Sequence, residues 1–381
     1  FTTLALSRGE HVSAIWMVTA AISVYCIAYR FYSLYIANRV MQLDPNRLTP
    51  AERHNDGLDY VPTHKGVLFG HHFAAIAGAG PLVGPVLAAQ MGYLPGTLWI
   101  IFGVVFAGAV QDMMVLFVSM RRDGKSLGDI VKQELGTVPG VIASIGILMI
   151  MVIIMAVLAL IVVKALVHSP WGTFTIAATM PIALFMGIYT RYIRPGKIGE
   201  ISIVGFILLM LAVIYGEDVA RSSFGHWFDL DGIQLTWAIM IYGFVASVLP
   251  VWLLLTPRDY LSTFLKIGTI AALALGIVIV NPTLQMPAVT HFIDGSGPVF
   301  SGALFPFLFI TIACGAVSGF HALISSGTTP KMVENETHVR MIGYGGMIME
   351  SFVAIMALAA AASLDPGVYF AMNSPAALIG T

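Results

Sequence analysis

Charge is what this sequence has least of. Only 10% of its 381 residues are Asp, Glu, Lys or Arg, against 58% hydrophobic, and the mean hydropathy is +0.87. A soluble globular domain carries about 25% charged residues, so a chain this poor in charge cannot cover a water-facing surface. The net charge of −1 excludes the basic footprint of a nucleic-acid binder. Cysteine is nearly absent. Cys26 and Cys314 both lie in apolar runs, which excludes a disulfide framework and leaves them as packing residues. No low-complexity segment or soluble domain interrupts the chain, and the short alternating segments of a β-barrel are missing. The leading FTTLALS reads as the tail of an earlier hydrophobic segment, with no recognisable signal peptide.

What is present is a series of apolar runs, each about 20 residues long, as membrane-spanning helices require. About ten to eleven spans are expected, at 13–36, 69–90, 97–120, 138–166, 173–190, 200–216, 235–256, 260–281, 301–326 and 340–363. The stretch RRDGKSLGDIVKQELG in 121–137 reads as an interfacial helix. Alternating these spans places most of the 19 basic residues on one side. Arg39, Arg47, Arg53, Arg121, Arg122, Arg191 and Arg194 belong to it, whereas the opposite side holds Arg8, Lys164 and Arg221. The basic side is therefore cytoplasmic. Lys266 and Arg30 lie inside spans, close to that side.

One span resists a simple helix. FGHHFAAIAGAGPLVGPVLAAQ at 69–90 contains Gly78, Gly80, Gly84, Pro81 and Pro85 within eight residues. Proline removes a donor and clashes with the preceding turn, and an unpaired amide in the bilayer core costs several kcal/mol, as an order of magnitude. A kinked, close-packed helix is the plainer reading. The functional reading is an unwound segment whose free amides and new helix N-terminus receive an anion, typically a carboxylate. Substrate would then sit at Gly78, Ala79, Gly80, Pro81 and Gly84, facing Ser247 and Pro250. Two further breaks are expected, at 245–258 (VASVLPVWLLLTPR) and at 313–331 (ACGAVSGFHALISSGTTPK). Span 69–90 runs outward and span 235–256 inward, each opening a group of five spans, which is the arrangement of an inverted repeat.

Ionisable residues within spans mark pathways and proton relays. His71, His72, Asp112 and His321 are the candidate proton-coupling groups, because histidine titrates near physiological pH and a lone carboxylate at depth needs a partner or a proton. Glu350 also sits in mid-span. His71 and His72 point about 100° apart on a helix, which argues against one ion held by both. No fixed ligand spacing is present, so no metal site is expected. Ser318 with His321 is the only tempting nucleophile–base pair, and no enzymatic activity is expected. A channel and a membrane sensor are the remaining rivals.

HNDGLDYVPT at 54–63, LFGHHFAAIAGAGPLVGPVLAAQMGYLPG at 68–96, FVASVLPVWLLLTPRDYLSTFLKIGTI at 244–270, FLFITIACGAVSGFHALISSGTTPK at 307–331 and DPGVYFAMN at 365–373 resemble the carbon starvation protein A family over essentially the whole chain. That resemblance implies a multi-pass transporter of the bacterial inner membrane, carrying peptides, or pyruvate by proton symport. It implies a fold near the amino acid–polyamine–organocation transporters, an all-α LeuT-like five-plus-five inverted repeat. The expected layout is a leading helix and cytoplasmic loop over 1–66 and a core over 67–365. The core halves are about 67–216 and 235–365, and 366–381 begins a further part. Family chains extend beyond this one at both ends, so a partial chain is expected. By helix order, the family fold implies a cation site between the first and eighth core helices, at Ala75, Ser325 and Ser326. No cofactor is expected beyond a coupling proton or a monovalent cation. The expected partners are a small carboxylate or peptide, the lipid bilayer, and a second copy or small accessory protein. Carboxylate recognition with no acidic residue beside GAGPLVGP tilts the substrate toward pyruvate.

Overall fold

The computed structural model describes residues 12–375 and Arg8; the FTTLALS segment and the end of the expected further part, 376–381, lie outside the described residues. The described chain is all-helical, its only strand pairing being two single bridges, Ser13 with Thr283 and Thr63 with Val333. Its main elements are α1 (Ala14–Val40), α2 (Lys65–Ile76), α3 (Gly80–Met91), α4 (Tyr93–Arg121) and α5 (Leu127–Leu135). They continue with α6 (Thr137–Leu166), α7 (Pro170–Ile193), α8 (Ile198–Arg221), α9 (Gly232–Val248) and α10 (Leu255–Val280). After short turns over 304–311 come α11 (Ala313–Ala316), α12 (Gly319–Ser326), α13 (Glu336–Ala362) and α14 (Pro366–Asn373).

Seven of these helices are long and apolar enough to cross a membrane, and eight spans result when the bent pair α2–α3 counts as one. The chain is thus a multi-pass helical membrane protein. Two expected spans are built differently. Span 235–256 ends at Val248, because Pro250 drives the preceding Leu249 to φ −71°, ψ 149°, out of the helical region. The chain then runs without regular helix to Leu254, so Pro250 occupies a connection and not mid-span. Span 301–326 is divided into the turns over 304–311, α11 and α12.

Burial orders the helices. In α13, 72% of the most apolar stretch is buried, and in α6 none is. Hence α13 is the central post, and α6, with Ile142, Leu148 and Ile153 exposed, presents its side chains to lipid. A second, smaller core joins Met186, Ile201, Leu209 and Leu261 of α7, α8 and α10. The interfacial helix expected from the sequence is α5, capped by Ser126 Oγ accepting from the Asp129 amide. Gly136, at φ +100°, then turns the chain into α6 in a conformation that favours glycine.

Loops assigned to one side from the sequence do meet in space. At the basic end, Arg121 and Arg47 reach Glu336, Arg53 reaches Asp123, and the Thr63 amide donates to Met332 O. At the other end, the Gln90 side chain bonds Phe300, Ala14 bonds Pro282, and Gln285 bonds Ala362. The pair α2–α3 therefore runs from the basic end outward, and 304–326 runs back antiparallel to it. The long helix following each broken segment packs on the other's break: α4 against α12, and α13 against α3 and α2.

Candidate functional site

The first break lies between Ile76 and Gly80, where the pair bends by 46°. Ala77 leaves the helix at φ −77°, ψ 71°. The Gly78 amide donates to Ile76 O and those of Leu82 and Val83 to Ala79 O, and Pro81 has none, which leaves the amides of Ala79 and Gly80 at the α3 N-terminus. Gly78 faces open space: a Cβ built there meets nothing within 4 Å. Gly80 and Gly84 are placed otherwise. A Cβ on Gly80 would stand 2.6 Å from Cys314 Sγ, and one on Gly84 2.3 Å from Thr311 O, so both let the two broken segments touch. The plainer reading, glycine for close packing, describes these two, while Gly78 is the open position.

The α2 side of the break is covered by α10. Lys266 Nζ donates to Ala74 O at 2.8 Å and to Ala77 O at 2.7 Å, and Thr263 Oγ1 donates to Gly70 O at 2.7 Å. Lys266 is a residue that the sequence reading placed inside a span, close to the basic side, without a role. Its signal was an ammonium about three turns inside an apolar helix.

The second break lies at Val317 and Ser318, both extended, between α11 and α12. The Gln111 side chain donates to Ser318 O at 2.5 Å, satisfying a carbonyl that the break frees. Cys314 Sγ stands 3.9 Å from Ser318 Oγ and 3.4 Å from Glu350 Oε1. Since Cys314 also touches Gly80, both breaks and their two helix N-termini adjoin around this one thiol.

Beside them is a buried carboxylate–imidazole–carboxylate network. His321, in the first turn of α12, has Nδ1 2.9 Å from Asp112 Oδ2 of α4 and Nε2 2.9 Å from Glu350 Oε2 of α13, all three side chains fully buried. The Asp112 contact is a hydrogen bond, whereas the Glu350 contact has the distance but not the angle of one. Asp112 thus has the partner that a carboxylate at this depth needs. Two carboxylates and one imidazole in apolar surroundings offer three adjacent seats for a proton. Cys314, His321 and Glu350 also present S, N and O atoms within 4.8 Å of one another. Tetrahedral donors about 2.0–2.1 Å from a metal would stand about 3.3 Å apart, so the 2.9 Å contact is that of an imidazole and a carboxylate in direct touch.

The two histidines of α2 diverge, as adjacent helical positions must. His71 Nδ1 is 3.0 Å from Asp259 Oδ2 of α10, and His72 Nδ1 is 2.9 Å from Thr329 Oγ1. Both are buried. Ala75 is half-buried on α2, which packs on α12. There the Ser325 hydroxyl is buried without a partner, and Ser326 Oγ donates to Ala322 O. The structure does not bring Ser247 to this group. It is exposed on α9, which packs on α6, and its hydroxyl donates to Phe244 O. Pro250 lies at the basic end, next to Val251, which lines a cavity of about 860 Å³ together with Ser326, Thr328, Asp59, Asp123 and Lys331.

Two membrane helices broken against each other, beside a buried carboxylate–imidazole–carboxylate network, define a multi-pass membrane protein built around a polar interior. The family described as carbon starvation protein CstA matches residues 13–381, and the chain belongs to it. It is 70% identical over 377 residues to the peptide transporter CstA of Escherichia coli (strain K12), covering 99% of this chain and 54% of that protein. It is 66% identical over 378 residues to the pyruvate/proton symporter BtsT of the same strain, covering 99% and 53%. The peptide transporter CstA of Bacillus subtilis (strain 168) is 49% identical over 363 residues, covering 95% and 60%. The chain spans about half the length of the first two of these relatives. No solved structure matches it.

Proposed function

We propose that this chain forms the core of a secondary active transporter of the bacterial inner membrane, importing pyruvate by proton symport through alternating access. The observation that carries the reading is the meeting of two broken helices, with open space at Gly78, beside the Asp112–His321–Glu350 network. A substrate carboxylate sits on the amides of Ala79 and Gly80, beside the open position at Gly78, where the α3 N-terminus favours an anion. A proton taken by the network offsets the buried negative charge and favours the loaded state. The symporter named among the relatives supports proton coupling to pyruvate. No enzymatic step is proposed.

A peptide is the second substrate reading, and one observation favours it. Glu350, remote in sequence, reaches Cys314 beside Gly80, so an acidic group does stand next to the break and could meet a substrate amine. The relatives named as peptide transporters support the same reading.

The reciprocal packing supports an inverted pair formed by 65–121 and 304–362. That register differs from the halves 67–216 and 235–365 expected from span order, because the second crossing break lies at 317–318 and not near Pro250.

The test is uptake by the full chain in liposomes, with labelled pyruvate, opposite pH gradients and a dipeptide competitor. Accumulation only with the outside acidic, indifferent to dipeptide, is expected. Uptake of dipeptide without pyruvate would establish the second reading. Equilibration without accumulation would replace both with a channel.

A further inference from the structure

Three arginines from two parts of the chain meet at the basic end around one cavity of about 310 Å³. Arg47 and Arg53 come from the loop after α1, and Arg121 is the last residue of α4. Glu336, at the start of α13, is the one carboxylate lining the cavity among the described residues, so three positive charges face one negative charge. Asp123 pairs with Arg53 at 2.7 Å from outside the cavity, and one positive charge is still left over. The guanidinium groups are positioned but not used up, since each has five N–H donors. Arg121 gives two of its nitrogens to Glu336 and the Gln42 carbonyl, and its guanidinium lies 4.4 Å from the centre of the Phe117 ring. Arg53 gives one nitrogen to Asp123, and Arg47 stands 3.6 Å from Glu336, beyond hydrogen-bond distance. Thr49, only 2% exposed, lines the same cavity, and its hydroxyl is buried without a partner. A buried hydroxyl is normally hydrogen-bonded, so this one is a donor waiting for an acceptor inside a basic cavity.

We propose that this cavity binds an anionic phosphate group, either that of a membrane lipid headgroup or one free in water. Guanidinium forks match phosphate oxygens with paired, charge-assisted hydrogen bonds, and the Thr49 hydroxyl adds a donor beside them. Glu336 does not oppose this, because Arg121 offsets its charge and is oriented by it. The surroundings favour a lipid. Phe31, Tyr35 and Val40 of α1 are turned outward, and Leu48, in the cavity wall itself, is 60% exposed. An acyl chain can lie along α1 while its phosphate enters between the arginines, as basic pockets between membrane helices take anionic headgroups. The occupant joins the loop after α1 to α4 and α13, the helices that carry Asp112 and Glu350. The site is the same whatever the chain transports.

The test is binding to the full chain, purified in detergent and stripped of lipid, read as the shift of its thermal unfolding midpoint. The probes are phosphatidylglycerol, phosphatidylcholine and inorganic phosphate at constant ionic strength. Phosphatidylglycerol is expected to raise the wild-type midpoint in a saturable way, as a ligand of the folded state does, and phosphatidylcholine is not. Arg47→Gln and Thr49→Val should each weaken binding at least about tenfold, the loss of one charge-assisted hydrogen bond. Arg39→Gln, which removes an exposed charge of α1 outside the cavity, should bind like wild type. A rise with inorganic phosphate and not with lipid, weakened in the same two variants, would keep the site and make free phosphate its ligand. The proposal is overturned if neither anion raises the midpoint, if phosphatidylcholine raises it as much as phosphatidylglycerol, or if Arg47→Gln and Arg39→Gln bind alike. Should Thr49→Val not fold, the comparison of Arg47→Gln with Arg39→Gln still decides.

Discussion

His321 stands between two carboxylates from different helices, with Asp112 Oδ2 2.9 Å from Nδ1 and Glu350 Oε2 2.9 Å from Nε2. These contacts tie α12, the inner half of one broken segment, to the long helices α4 and α13. Any movement of α12 must break or carry at least one of them. Removing the imidazole leaves two buried carboxylates facing each other. His321→Ala should therefore lose about 3–5 kcal/mol of stability, read by denaturant unfolding in detergent. Asp112→Asn, which keeps the shape, should remain folded and lose the dependence of uptake on the pH gradient.

The glycines of the first break separate packing from binding. Gly84→Ala should destabilise by about 1–3 kcal/mol, because its Cβ would stand 2.3 Å from the rigid Thr311 carbonyl. Gly78→Ala meets nothing within 4 Å, so its unfolding temperature should match wild type. Its KM for substrate should rise, because the methyl group enters the space assigned to the carboxylate. Thermal unfolding of both variants, followed by uptake kinetics on Gly78→Ala, checks the pair.

At the basic end, the buried Glu336 carboxylate receives Arg121 at 2.5 Å and the Asp44 amide at 3.3 Å, with Arg47 at 3.6 Å. It holds the loop after α1 against the ends of α4 and α13. Glu336→Gln keeps an acceptor but loses the charge, and should cost about 1.5–3 kcal/mol. The loss should appear in denaturant unfolding and as faster proteolysis of the loop over 41–47.

Asp56 organises the exposed loop that follows. The Leu58 amide above all, and then those of Tyr60 and Asp59, hold its carboxylate below the ordinary value of 3.8. A depressed folded value means stability present above pH 3.8 and lost as pH falls through the lower folded value. The Leu58, Asp59 and Tyr60 amides should stay protected from hydrogen exchange at neutral pH and lose protection only below that range. In Asp56→Ala they should be unprotected at every pH.

Eight of the ten expected spans, the loops that share an end, and the first break were legible in the sequence because each has a local cause: apolar length, uneven Lys and Arg, and five breakers within eight residues. A break was expected within 313–331 and lies at 317–318, and His321 was singled out as ionisable at depth. What could not be read was pairing across sequence. Nothing local says that Asp112 and Glu350, more than 200 residues apart, flank one imidazole, or that Lys266 reaches back to Ala74. These contacts follow from how five helices cross. Pro250 misled for the opposite reason: a proline shows that a helix stops, but not whether it stops in mid-membrane or at an end.

The central claim is that the Asp112–His321–Glu350 network carries the coupled proton. The direct measurement is the lumenal pH of liposomes, followed with an entrapped dye when pyruvate is added to wild type and to His321→Gln. Wild type should acidify the lumen as pyruvate enters. His321→Gln should bind pyruvate and leave the pH unchanged. Acidification by His321→Gln at the wild-type rate would contradict the account.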